Sequence, residues 1–348
     1  MIPVTFLNDR LSEKKGGLPI NIYDIAKQAG VSATTVSRVL NNKQNVSKKT
    51  QEKILEIMNS NNYIPNGLAR GLNNNTTKTI GVMTTDIRHV HYANTAFSIE
   101  QECNAQGYSM ILCNSGTDLD KKTSYLRLLA EKKVDGIIMI GSIFSDKYIE
   151  TSILDNVKDI PIVFANGLIH SENIYSVLVD AAHGISLCVK HLYQKGRKQF
   201  MFLKASDTYS AKEKLKGFRK SMDECGLEYS DAHIIETDAS LDGGYQAIDK
   251  LLKDKIPFDA IICSEDLIAL GCISRLHNEG LQIPEDVSIT GYNNSIFSQC
   301  INPNLTTVDN KVNLMGKLSF QVLFDLINGE SVSSKLLITP DLIIRKST

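Results

Sequence analysis

Long apolar runs are missing from this sequence. No stretch approaches the ~20 consecutive apolar residues that a membrane helix requires. The amino terminus, MIPVTFLNDRLSEKK, offers only the run from Ile2 to Leu7, interrupted by Thr5, before charge begins. A secreted or membrane-spanning chain is therefore not expected. Paired cysteines are missing as well. Cys103, Cys113, Cys188, Cys225, Cys263, Cys272 and Cys300 are odd in number, scattered and never spaced C-x-x-C. That argues against a disulfide framework or a zinc site and for small buried hydrophobes in a reducing cytoplasm. Catalytic signatures are absent too: there is no G-x-S-x-G, H-E-x-x-H or G-x-x-x-x-G-K-[ST], and no G-x-G-x-x-G after the first strand-like run. His89 and His91 form one close histidine pair without an obvious third ligand. Neither an enzyme nor a protein with a metal or cofactor is expected.

What is present is a balanced chain of 348 residues, 42% apolar and 22% charged, with a formal net charge of -1. At about 150 residues per domain the length predicts two or three domains. The charge cancels only globally. Residues 1–19 carry +1, residues 20–78 carry +5, with eight Lys and Arg against Asp24, Glu52 and Glu56, and the remaining 270 residues carry -7. A basic head on an acidic body fits a polyanion partner for the head, because Lys and Arg that displace phosphate counterions gain affinity whatever the base sequence.

In the head, Ile22, Ile25, Ala26 and Ala29 fall at i, i+3, i+4 and i+7, the stripe of a short amphipathic helix. Gly30 can take the left-handed turn that ends it. Ser32 is a natural cap for a second helix from about Ala33 to Asn41 burying Val36, Val39 and Leu40, and Ser47 caps a third from Lys48 to about Ser60 burying Ile54, Leu55 and Met58. Three short helices with a glycine turn between the first two make a helix-turn-helix.

The run IYDIAKQAGVSATTVSRVLN from Ile22 to Asn41, then NVS from Asn45 and YIPNGLARGL from Tyr63 to Leu72, closely resembles the head and hinge of the lactose/galactose repressor (LacI/GalR) family of bacterial transcription regulators. The resemblance implies that the second helix enters the major groove of operator DNA. Ala33 and Thr34 then read base edges, and Arg38 makes a further base contact worth about 1–3 kcal/mol if bidentate to guanine. Ser32, Thr35, Ser37 and Asn41 would meet phosphate oxygens, and Tyr23, Asn45, Ser47 and Tyr63 match backbone-contact positions. Pro65 and Asn66 open a hinge segment that includes Ala69 and ends at Leu72, the residue expected to wedge into the minor groove. A helix this short, carrying Gly67 and Gly71, is too weak to persist in water and is expected to fold only over DNA.

Beyond Lys78 the period changes. β-rich runs recur, TIGVMTT from Thr79, YSMILC from Tyr108, DGIIMIG from Asp135, PIVFAN ending at Asn166, YSVLVD from Tyr175, KQFMFLKA from Lys198, HIIET from His233, DAIICS from Asp259 and DVSITGY from Asp286, with amphipathic helical windows between nearly all of them. Such alternation implies parallel sheets covered on both faces, and nine or ten strands fit two doubly wound lobes. This part resembles the periplasmic-binding-protein-type effector domain of the same family, as far as LIIRKST at Leu342 to Thr348. The expected fold is a small all-α helix-turn-helix head plus an α/β body of two doubly wound lobes. A disordered N-terminal arm is expected over 1–19, the DNA-binding domain over 20–64 and the hinge and linker over 65–77. The effector-binding and dimerisation domain follows over 78–348, with an N-lobe at about 78–179 and 311–337 and a C-lobe at about 180–310 and 338–348. The resemblance also implies a homodimer on a palindromic operator, in the cytoplasm at the nucleoid.

Ligands of doubly wound lobes bind at the carboxyl ends of their strands. Strand ends nominate Asp86, His91, Tyr92, Asn166 and Asp180 in the first lobe and Lys214, Glu265, Asp266, Asn293 and Asn294 in the second. Departures from the family pattern narrow the ligand. Lys214 stands where arginine is common, Glu265–Asp266 where Asn-Asp is, and Tyr292–Asn293 where Tyr-Asp is. Without a guanidinium fork a carboxylate or purine is disfavoured, leaving a neutral carbohydrate effector. Two alternatives are weighed. A catabolite-control-type regulator with a phosphorylated carrier protein as corepressor is weakened by Asn302, where arginine is expected, and a sugar-transport protein is opposed by the DNA-reading helix and the missing signal peptide.

Overall fold

Asn21 opens the first helix. Its side-chain oxygen accepts the backbone N–H groups of Tyr23 and Asp24 (2.9 and 3.2 Å), and the Asp24 carboxylate accepts the N–H of Asn21 (2.9 Å), a reciprocal capping box at the start of α1, Ile22–Ala29. Gly30 ends it at φ +71°, a left-handed conformation that costs glycine nothing. Ser32 caps α2, Ala33–Leu40, through the Thr35 N–H (3.2 Å), and Ser47 caps α3, Lys48–Ser60, through the Thr50 N–H (3.3 Å). The three helices bury Ile25, Ala26, Ala29, Val36, Val39, Ile54 and Met58 together. One expectation fails here. Leu55 is 42% exposed, because Ile54, Ile57 and Met58 occupy the inward face at i, i+3 and i+4, and Leu55 lies one residue off that stripe.

The computed structural model describes residues 20–40, 46–61, 63, 76–205 and 207–348. It divides at Thr77 and Lys78 into the helical head and an α/β body. In the body, two six-stranded sheets repeat one plan. The first, in the order β11-β5-β4-β3-β1-β2, is built from β1 (Thr79–Thr84), β2 (Ser109–Asn114), β3 (Gly136–Ile140), β4 (Ile162–Ala165), β5 (Ile174–Val179) and β11 (Lys335–Ile338), all parallel. The second, β12-β10-β9-β8-β6-β7, is built from β6 (Phe200–Ala205), β7 (Ile234–Thr237), β8 (Ala260–Cys263), β9 (Ser288–Tyr292), β10 (Thr306–Asp309) and β12 (Asp341–Ile343), with only β12 antiparallel. Both sheets have the doubly wound 2-1-3-4-5 order, which reverses direction beside its first strand and opens a crevice at the carboxyl ends there.

Strands buried on both faces explain the unbroken apolar runs of β3, β4 and β8, and β9 is buried throughout although it carries Ser288 and Thr290. Helices α4 (Val90–Ala105), α5 (Leu119–Glu131), α6 (Lys147–Asn156) and α12 (Val312–Ile327) cover the first sheet, and α7 (Ala181–Gln194), α8 (Tyr209–Glu224), α9 (Leu241–Lys253) and α10 (Asp266–Glu279) cover the second; a short α11 (Phe297–Cys300) follows β9. The chain passes between the sheets after Val179, after Asp309 and after Ile338. Strands β10, β11 and β12 are not among the apolar runs of the sequence, since three of the four residues of TTVD are polar and the other two are short edge strands. Helix α9 meets α10 at Gly244 and Gly271, where an added Cβ would strike the carbonyls of Ile268 and Leu241; this backbone contact holds the start of α10 at the crevice. Two cysteines depart from the expected burial: Cys225 is half-buried and Cys300 exposed, the latter on a helix of a single turn that has little to bury it.

Candidate functional site

On the head, Thr34 and Arg38 are exposed and lie one turn apart on α2, so they share a face, with Ala33, Thr35 and Ser37 partly buried beside them. Tyr23 is 72% exposed on α1. The hydroxyls of Ser32 and Ser47 cap α2 and α3 and also bond Thr35 Oγ1 (2.9 Å) and Thr50 Oγ1 (2.8 Å), and both lie exposed at helix N-termini, whose dipole favours anions. Tyr63 packs against the head core. Asn41, Asn45, Asn66, Ala69 and Leu72, with the expected hinge, lie outside the described residues.

In the body, a cavity of about 700 Å³ lies between the carboxyl ends of the two sheets. Of the residues nominated from strand ends, His91, Tyr92, Asn166, Lys214, Glu265 and Asn293 line it. Four do not. The Asp86 carboxylate is forked by Arg88 (2.9 and 2.8 Å), whose hydrogen bonds hold it down to about 2. Asp180 accepts the His183 N–H (2.9 Å) as the cap of α7. Asp266 is buried under the β9 loop, accepting from Thr307 Oγ1 (2.6 Å) and the Ser295 N–H (2.7 Å), and Asn294 turns its carbonyl to Arg345 (2.7 Å). Each of these carboxylates and amides satisfies local backbone or side-chain donors instead of facing the crevice.

Other lining residues were not nominated: Ser142 after β3, Thr208 and Ser210 after β6, Glu236, Thr237 and Asp238 at the end of β7, Gln246 and Lys250 on α9, and Asn310 after β10. The strand-end rule contains a signal for Glu236 to Asp238, because HIIET reads as a strand from the sequence alone. It contains none for Asn310, whose strand carries no apolar run.

The polar groups form one chain across the cavity. Lys214 Nζ donates to the Ser264 carbonyl (2.7 Å), sits 3.7 Å above the Tyr292 ring and lies 3.6 Å from Glu265 Oε1. Burial lowers the Lys214 pKa, and Glu265 opposes the shift. Asn293 Nδ2 donates to Glu265 Oε2. Asn310 Nδ2 donates to Asn293 Oδ1 (2.7 Å) and to His91 Nδ1 (3.2 Å), so His91, on the first lobe, is an acceptor at Nδ1 and carries its proton on Nε2. Burial, with the like charges of His89 and Lys214, pushes His91 down to about 3, while burial raises Tyr92 to about 12. Burial also raises Asp266 to about 6 against its hydrogen bonds.

These shifts predict the pH dependence of stability. His91 binds a proton near pH 6.5 when unfolded but only near 3 when folded, so it costs stability as pH falls through that window. Asp266 has the opposite sign, protonating first in the folded chain and adding stability as pH falls from about 6 to 3.8. His91→Gln removes only the first effect. Between pH 6.5 and 4.5 it should lose less stability than the parent by about 2 kcal/mol in urea unfolding; equal losses would contradict the buried neutral His91.

Comparison with known proteins agrees with this architecture. Residues 77–346 match the family model "Periplasmic binding proteins and sugar binding domain of LacI family", and residues 21–66 match "Bacterial regulatory proteins, lacI family". An HTH-type transcriptional regulator of Lachnoclostridium phytofermentans is 38% identical over 331 residues, 94% of this chain and 99% of the relative. The HTH-type transcriptional repressor PurR of Vibrio cholerae is 35% identical over 94% of this chain and 97% of its own length. Among solved structures, the lac repressor dimer bound to operator and the anti-inducer ONPF is similar at a TM-score of 0.86 and 27% identity, covering 94% of this chain and 99% of that one. With the helix-turn-helix and both lobes each matched, the chain belongs to the lacI family of bacterial regulatory proteins and is a DNA-binding transcriptional regulator, not an enzyme.

Proposed function

We propose that the protein is a repressor that binds a palindromic operator as a homodimer in the cytoplasm and is switched by a neutral carbohydrate held between its lobes. The observation that carries the ligand reading is the crevice itself. Its volume of about 700 Å³ is in the range of small-molecule sites. Its buried cation is paired with Glu265, its buried histidine is neutral, and its walls offer amides and hydroxyls beside the half-buried ring of Tyr92, which can stack on a sugar face. No guanidinium lines the cavity among the described residues, so the planar fork that a carboxylate ligand favours is missing. Of the residues nominated in the sequence, His91, Tyr92, Asn166, Lys214, Glu265 and Asn293 are the proposed contacts.

Dimerisation is supported by apolar side chains left on the surface of the body. Phe97, Leu112 and Leu314 are exposed on α4, the edge strand β2 and α12, and Leu241, Tyr245, Ile296 and Phe297 on the second lobe. Contiguous exposed apolar patches mark association surfaces, and an unpaired edge strand such as β2 is ordinarily covered. On the head, Ala33, Thr34 and Arg38 are the proposed base readers, with Tyr23, Ser32, Thr35, Ser37, Ser47 and Tyr63 on the phosphates.

Two outcomes are expected. Arg38→Ala should relax base preference in gel shifts with operator variants, raising the dissociation constant for the preferred site by roughly 5- to 150-fold, equivalent to about 1–3 kcal/mol; unchanged specificity would remove Arg38 from base reading. A sugar present at ~100 times its dissociation constant should raise stability by about 2.7 kcal/mol in a thermal-shift panel of neutral mono- and disaccharides. A shift from a purine base and from no sugar would replace the carbohydrate reading.

A further inference from the structure

The last residues of the chain run beneath the loop that carries Asn293. Arg345 Nη2 donates to Asn294 Oδ1 (2.7 Å), and its Nη1 donates to the Leu305 carbonyl (2.8 Å) and Ser298 Oγ (3.1 Å), so one planar guanidinium grips the segment after β9 at three points. The backbone of Arg345 is itself held, its N–H donating to Thr306 Oγ1 (2.8 Å). The segment needs such a grip. Asn293 and Asn294 both have positive φ, +106° and +47°, a backbone path that L-residues keep only when surroundings impose it. Asp266 fastens the next residue by accepting the Ser295 N–H. Asn293 is the link between this segment and the crevice, donating to Glu265 and accepting from Asn310, which reaches His91 on the other lobe.

We propose that Arg345 is a positioning residue for the crevice: through Asn294 it fixes the turn that aims the Asn293 amide, and so it governs the polar link from Glu265 to His91. The inference rests on the crevice being the ligand site only for its regulatory meaning; the link itself is independent of any ligand. Arg345 lies outside the cavity lining, so its effect is transmitted. Ser347 provides the contrast. It fastens the same tail elsewhere, its Oγ accepting from the Thr306 N–H (2.9 Å) and donating to the Ile289 carbonyl (2.6 Å), without touching Asn294.

Nitrogen-15 NMR of the full-length protein labelled at its seven histidines, with no sugar added, reads the far end of the link, the His91 signal being assigned with His91→Gln. The parent should show His91 as a single tautomer, bare at Nδ1 and protonated at Nε2. Arg345→Ala and Asn294→Gly should each convert it to an average of two tautomers while His277, at the end of α10, keeps its shifts. Ser347→Ala should lower the melting temperature and leave His91 unchanged. If Arg345→Ala does not fold, Asn294→Gly carries the test, since glycine adopts positive φ freely. A single His91 tautomer in the folded Asn294→Gly protein, or an equal loss in Ser347→Ala, would overturn the proposal. Because no ligand enters the measurement, failure of the carbohydrate reading would appear only in the thermal-shift panel.

Discussion

One amide bridges the two lobes inside the crevice. Asn310 lies where the chain leaves β10 for α12, and both hydrogens of its side-chain nitrogen are committed, one to Asn293 of the second lobe and one to His91 of the first. A buried amide nitrogen without partners costs about 1–3 kcal/mol, so its two acceptors are constrained by it, while Asn310 Oδ1 is buried without a hydrogen-bond partner among the described residues. His91 has to be neutral and protonated at Nε2 to accept. Asn293 has to hold a strained backbone to present its carbonyl, and its own nitrogen then meets Glu265, which in turn faces Lys214. The crevice is thus crossed by a hydrogen-bonded path between the two sheets, and the proposed ligand would compete with or extend that path.

Much of this was readable from residues alone, where local physics is strong. The stripe of Ile22, Ile25, Ala26 and Ala29, the turn at Gly30 and the caps at Ser32 and Ser47 place the three head helices, because capping and periodicity act within a few residues. The doubly buried strands were equally plain. The elements that escaped are those stabilised from a distance: β10 with its polar TTVD, and β12, which pairs antiparallel with it across the crossover. The same reason explains the site. Strand ends nominate a crevice, and six of ten nominated residues line it. Whether a polar residue at a strand end faces the cavity depends on which neighbour claims it: Arg88 claims Asp86, the α7 N-terminus claims Asp180, Thr307 and Ser295 claim Asp266, and Arg345 claims Asn294. Two of those claims are local, Arg88 two residues from Asp86 and the His183 N–H three from Asp180, whereas Ser295, Thr307 and Arg345 lie 29, 41 and 51 residues from the groups they hold, beyond any motif.

The opposed charges of head and body acquire a physical meaning in this architecture. Five net positive charges fall on residues 20–78, where the exposed face of α2 carries Thr34 and Arg38, and seven net negative charges fall on the body beyond them. A head that gains affinity by displacing phosphate counterions and a body that gains none confine the nucleic-acid contact to one end of the chain. In the proposed switch the body acts on the head's affinity, since the crevice and α2 belong to separate units.

Such control is a coupling free energy, and coupling is reciprocal: whatever factor the ligand imposes on operator affinity, the operator imposes on ligand affinity. The direct test is to titrate operator with and without a saturating amount of the sugar that raises the melting temperature, and to titrate that sugar with and without operator. The account predicts the same ratio from both pairs of dissociation constants, of order 5- to 150-fold. Operator affinity unchanged while the crevice is saturated would contradict it.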